Sequence, residues 1–131
     1  MAFAVDFRDD GRTLLLSGTG VVTGREIIHV KETLLTQQEQ VRSVTRAMVL
    51  FAEVTVLEVS TEEIRRVVGL DQQLARLAPH LAVAIVAPKD YMFGLARTWE
   101  ALVDGAGWQT GVFQTRSDAA AWLEAVQITP G

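Results

Sequence analysis

The chain contains no cysteine, which excludes disulfides, thiolate metal sites and cysteine nucleophiles together and agrees with a cytoplasmic location. Histidine is nearly as scarce. His29 and His80 are the only two, and neither has a second histidine at ligand spacing, so no metal and no cofactor is expected. Lys and Arg form no cluster and the net charge is −4; a duplex binder needs several cations to replace the counterions on phosphate, so nucleic acid is not an expected partner. The longest uncharged apolar runs fall far short of the ~20 residues of a membrane span. The first residues carry no basic stretch followed by an apolar one, so no signal peptide is read there. A Walker loop and a G-x-S-x-G elbow are both missing, and so are internal repeats.

What is present is the composition of a globular domain. Hydrophobic residues make up 49% and charged residues 21% of the 131. A chain of this size buries roughly two-thirds of its unfolded surface, and residues 1–131 are read as a single domain. The central signal is Leu81-Ala82-Val83-Ala84-Ile85-Val86-Ala87, seven residues without a charge, ended by Pro88. Such a run reads as a strand buried on both faces. From Asp90 to about Val103 the pattern turns helical, so the two segments form half of a βαβ crossover.

The remaining chain fits around that unit. Phe3 to Phe7 and Thr13 to Ser17 read as strands, and Asp10-Gly11 between them is a hairpin signal, because a type I′ turn needs φ > 0 at both central residues. Thr23-Gly24-Arg25-Glu26 and Ser60-Thr61-Glu62-Glu63 have the capping-box form, each opening an amphipathic helix. Lys31 lies in the apolar stripe of the first and is expected to snorkel out. Asp71 intrudes on the apolar face of the second, where an ion pair with a nearby arginine is expected. Ala47 to Phe51 reads as a strand, Glu53 to Val59 as a connection, Trp108 to Phe113 as the last strand, and Asp118 to about Val126 as the last helix, capped by Thr115 or Ser117. The order ββαβαβαβα predicts an α/β fold: a mixed, mostly parallel five-stranded sheet with an N-terminal antiparallel hairpin and helices on both faces.

Chemistry-bearing constellations are few. Gly18, Gly20 and Gly24 lie in a stretch expected to be a loop between strand and helix. The spacing to the third glycine is one residue too long for the dinucleotide fingerprint, and Phe51-Ala52 stands where an acidic residue is required, so a structural turn is expected. No acid, base and nucleophile assemble, which argues against an enzyme. In the helix after the central strand, Tyr91, Met92, Leu95, Ala96, Trp99, Leu102 and Val103 form one apolar arc, and Phe93 falls outside it beside Arg97. Two readings stand: Phe93 folds under the preceding loop, or Phe93 and Arg97 face a ligand, a partner or a membrane surface, with Gly94 allowing close approach.

Several of these stretches carry a family resemblance. Gly20-Val21-Val22-Thr23-Gly24-Arg25-Glu26, the run Val83-Ala84-Ile85-Val86-Ala87-Pro88 leading into Phe93-Gly94-Leu95-Ala96-Arg97, and Val112-Phe113 with Ala121-Trp122-Leu123 together resemble the SpoIIAA-like proteins, a bacterial family related to STAS domains and discussed alongside CRAL-TRIO lipid-transfer folds. The resemblance implies a central sheet flanked by helices, and either a small apolar or amphipathic, lipid-like ligand or peripheral membrane contact. It also bears on residues 54–61. Val54-Thr55-Val56-Leu57-Glu58-Val59-Ser60-Thr61 resembles the segment of STAS anti-sigma-factor antagonists that ends in a phosphorylated D-S-S-G turn. Ser60 then holds the phosphoacceptor position, while Val59 and Thr61 depart from the motif. As a helix N-cap, Ser60 is also accounted for by ~1 kcal/mol of helix stability.

Ligands of parallel α/β sheets sit beyond the carboxyl ends of the strands. The leading expectation is therefore a non-enzymatic binding module whose ligand site comprises Lys89, Tyr91, Met92, Phe93 and Arg97. The alternative is a STAS-type protein–protein interaction domain that uses the Ser60 edge. Three tryptophans and an exposed edge strand leave room for a homodimer.

Overall fold

A computed structural model describes residues 3–127. The N-terminal strands β1 (Phe3–Arg8) and β2 (Thr13–Thr23) pair antiparallel. Gly11 N–H donates to Arg8 O at 3.0 Å, closing a turn in which Asp9 (φ 55°) and Asp10 (φ 58°) are both left-handed. The tight turn is thus centred one residue earlier than Asp10-Gly11. Asp tolerates that conformation better than most residues, and Gly11 (φ 85°) continues it.

Three crossovers follow. Helix α1 (Gly24–Thr36) and the short α2 (Gln38–Arg42) lead to β3 (Arg46–Glu58), α3 (Thr61–Leu77) to β4 (Ala82–Val86), and α4 (Asp90–Val103) to β5 (Gln109–Phe113). Helix α5 (Arg116–Ala125) comes last, capped by Thr115. The strands lie in sequence order, β1-β2-β3-β4-β5, and all pairs after the first are parallel. Because each crossover joins neighbouring strands with the same hand, α1, α3 and α4 fall on one face of the sheet. Their buried residues share one core with Leu14, Leu16, Ala47, Val49, Phe51, Val83 and Ile85. On the opposite face, Met48, Leu50, Ala82, Ala84 and Val86 pack under Ala119 and Leu123 of α5. Strand β4 is buried at every position between β3 and β5, as a charge-free run requires.

Two expectations on this half of the chain are corrected. The glycine-bearing stretch is no loop, because β2 continues through it to Thr23. The expected connection after Phe51 is likewise strand, since β3 runs on to Glu58. Both extensions belong to one parallel ribbon interrupted by two register shifts, between Ser17 and Thr19 and between Gly20 and Val21. At each shift β3 carries one residue more than β2. Burial along β3 therefore recurs at Val54 and Leu57 and not at alternate positions, which hides the strand from a period-two reading. Gly18 is needed for close approach, because a Cβ there would lie 2.8 Å from Val54 Cγ2. Gly20 adopts φ +66° at the second shift.

The charged residues on the apolar helix faces are also corrected. Lys31 does not reach outward and Asp71 is not paired with an arginine. Lys31 Nζ of α1 lies 2.9 Å from Asp71 Oδ1 of α3. Trp99 Nε1–H of α4 donates to Asp71 Oδ2 at 2.8 Å. Asp71 is completely buried and the Lys31 side chain is 13% exposed. The ammonium sits off hydrogen-bond geometry, so Oδ1 is paired by charge and lacks an aligned donor. These three side chains link all three helices of the layer.

Candidate functional site at the carboxyl rim of the sheet

Strands β2, β3, β4 and β5 all end at one rim, where the helices that follow them begin. Ser60 is the N-cap of α3: its Oγ accepts from Glu63 N–H at 3.1 Å, and Glu63 Oε1 accepts from Ser60 N–H at 2.9 Å. Thr23 caps α1 in the same way, with Glu26 N–H donating to Thr23 Oγ1 at 3.3 Å and Thr23 N–H to Glu26 Oε1 at 3.1 Å. The two boxes abut. A Cβ on Gly24, the first residue of α1, would stand 2.5 Å from the Glu63 carboxyl carbon. Gly24 therefore lets the two helix starts close on each other. Ser60 itself is exposed.

Beside Ser60 stands the ribbon of β2 and β3, which continues past the last β3–β4 pair, Leu50 with Val86. Val21 and Val56 face each other in its register and are 53% and 40% exposed. Where β4 no longer covers the β3 edge, the start of α4 supplies side chains instead. Lys89 Nζ donates to Thr55 O at 2.9 Å, and the Tyr91 hydroxyl accepts from Leu57 N–H at 3.0 Å.

The five residues expected to share a ligand site are distributed as follows. Lys89 and Tyr91 are engaged on the β3 edge. Met92 is fully buried in the core beneath the rim. Phe93 is half-buried against that core. Arg97 is out in solvent with a 62% exposed side chain, 3.2 Å from Glu100 Oε1. One helix presents them in different directions, and they form no common wall. Met92 instead lines a core cavity of about 80 Å³ with Ile64, Val67, Leu95 and Trp99. A cavity of about 150 Å³ takes a benzene, so this space is too small for an acyl chain. Among the described residues no group of three or more His, Asp or Glu side chains is arranged to hold a metal ion. Nor is any helix long and apolar enough to cross a membrane.

Sequence reasoning reached Ser60 and its cap but missed Val21 and Val56, whose exposure depends on the hidden extension of β3. The Lys31–Asp71 pair had one signal in the sequence, legible once α1 and α3 are known to be adjacent. Two opposite charges on the apolar stripes of two neighbouring helices are each other's natural partner.

A mixed five-stranded sheet in sequential order, with three crossover helices on one face and a C-terminal helix on the other, defines the SpoIIAA-like α/β fold. Solved structures bear this out. The anti-sigma factor antagonist SpoIIAA in its unphosphorylated form is 15% identical over 95% of this chain and 100% of that one, with a TM-score of 0.58. The Bacillus cell fate determinant SpoIIAA in its phosphorylated form is 16% identical over 92% and 98%, with a TM-score of 0.56. An uncharacterized protein of the DUF3478 family with a SpoIIAA-like fold, from Shewanella loihica PV-4, is 17% identical over 93% and 92%, with a TM-score of 0.53. At these identities the likeness is one of fold. No protein-family model and no curated protein matches the sequence.

Proposed function

We propose that this protein is a non-enzymatic regulatory module that binds another protein at the carboxyl rim of its sheet, in the cytoplasm, with Ser60 as the position where binding is switched. The supporting observation is the exposed Ser60 cap next to the solvent-facing Val21–Val56 pair. It occurs on a fold shared with an anti-sigma factor antagonist and with a form of SpoIIAA that is phosphorylated. A phosphate on Ser60 would sit at the N-terminus of the 17-residue helix α3, where backbone N–H groups and the helix dipole favour negative charge. It would also break the Ser60–Glu63 capping box and crowd the Glu63 carboxylate, so the surface a partner reads would change in both charge and shape. Apolar contact would come from Val21 and Val56, and Lys89 and Tyr91 would hold the ribbon in place. A lipid-like ligand receives no comparable support, given the size of the cavity beneath.

The test is affinity capture with the purified protein, quantified by mass spectrometry. A specific regulatory protein, kinase or sigma-factor regulator, should be enriched by the wild type. Val56→Glu and Ser60→Asp should each reduce that enrichment at least tenfold. Equal capture by all three proteins would refute the reading.

A further inference from the structure

The core cavity of about 80 Å³ lies directly under the rim. Its walls come from the inner faces of α1, α3 and α4 and from the sheet beneath them, and include Leu57 and Val59, which lead into Ser60. Close-packed interiors hold few voids larger than a water molecule, so a space of this size in the main core is a distinct feature. Its chemistry is also distinct. Of the lining residues only Lys31 and Trp99 carry a polar atom in the side chain, and both atoms are turned onto the two oxygens of Asp71. The remaining walls are entirely apolar, so the space lacks the two to four polar partners that a water needs. Four lining residues, Ile27, Lys31, Val59 and Leu95, are only half-buried and mark where the cavity comes nearest to solvent.

We propose that this cavity is a binding site for an uncharged apolar molecule smaller than benzene, such as a dissolved gas or a hydrocarbon of a few carbons. The upper limit comes from volume, since a cavity of about 150 Å³ is what accommodates benzene. The exclusion of charge comes from the lining, which is apolar apart from Lys31, already paired with Asp71, and Trp99, whose N–H is donated to the same carboxylate. An occupant touches Leu57 and Val59, and so bears from below on the strand end that carries the Ser60 cap. The assignment rests on the interior and is independent of whether the rim binds a protein.

Methyl NMR on the intact protein under xenon tests it. Saturable shifts are expected at the methyls of Ile64, Val67 and Met92, and they should disappear in Val67→Ile, which fills the cavity. If that variant does not fold, Val30→Ile fills the same space from α1. Benzene and butyrate, added separately, should give no saturable shift at those methyls. Wild-type methyls indifferent to xenon, or xenon shifts that survive filling, would overturn the site. A response to benzene would overturn the size limit, and a response to butyrate the exclusion of charge.

Discussion

Removing Lys31 by Lys31→Met should strip a completely buried carboxylate of the one cation paired with it among the described residues. Asp71 would keep the Trp99 indole N–H at 2.8 Å on Oδ2, but Oδ1, which has no aligned donor even now, would face apolar side chains. Breaking a buried ion pair from one side costs about 3–5 kcal/mol, because the remaining charge can neither pair nor reach water. The opposite deletion, Asp71→Leu, should cost less. The Lys31 side chain is 13% exposed and can swing its ammonium out of the layer. What stays behind is an indole N–H without an acceptor, about 1–3 kcal/mol. Making both changes removes both charges, leaves the orphaned indole as the main cost, and should return a protein more stable than Lys31→Met alone. Equilibrium urea unfolding followed by far-UV circular dichroism measures this without relying on Trp99 emission, which the substitutions disturb. For a chain of this length each kcal/mol corresponds to about 3–5 °C in Tm, so Lys31→Met should melt roughly 10–20 °C low. The reasoning is refuted if Lys31→Met lies within 1 kcal/mol of wild type, or if the two single losses simply add in the double variant.

Other substitutions probe the rim and the ribbon. Gly18→Ala should destabilise by about 1–3 kcal/mol in chemical denaturation, since its Cβ would meet Val54 Cγ2 at 2.8 Å in a packed ribbon. Ser60→Ala should cost about 1 kcal/mol by losing the N-cap, and Ser60→Asp, which can still cap α3, should cost less; equal losses would refute the capping role. Tyr91→Phe should leave Leu57 N–H without its acceptor and accelerate hydrogen exchange there by about tenfold or less, while exchange in β4 stays unchanged.

The legible parts of the fold were those in which one physical rule acts alone. A charge-free run gave the central strand because burial on both faces tolerates nothing else. The two capping boxes gave the starts of α1 and α3 to the residue because the motif is local. Asp90 to Val103 was equally plain, with Met92, Ala96, Trp99 and Val103 inside and Arg97 outside. What stayed hidden depends on neighbours distant in sequence. The ribbon extension of β3 has its alternation broken by bulges that only pairing with β2 explains. Glycines at 18 and 20 look like a loop until that pairing is seen. The carboxyl-rim rule brings Lys89, Tyr91, Met92, Phe93 and Arg97 to one edge of the sheet, but consecutive helical residues point about 100° apart, so Met92 falls into the core and Lys89 and Tyr91 onto the ribbon. The pairing of Lys31 with Asp71 needed the knowledge that α1 and α3 are adjacent.

The sequential strand order has a consequence for how the molecule is put together. Each new strand adds to the outer edge of what has already formed, and none has to be threaded between two strands already joined. A chain emerging from the ribosome can therefore complete its sheet in the order of synthesis, one crossover at a time. The exception is the far side of β3 and β4, where Met48, Leu50, Ala82 and Ala84 wait for Ala119 and Leu123. Until the last helix is made, that face is bare, and shortening the chain before residue 116 would leave the nascent protein with an adhesive surface and a strong tendency to aggregate.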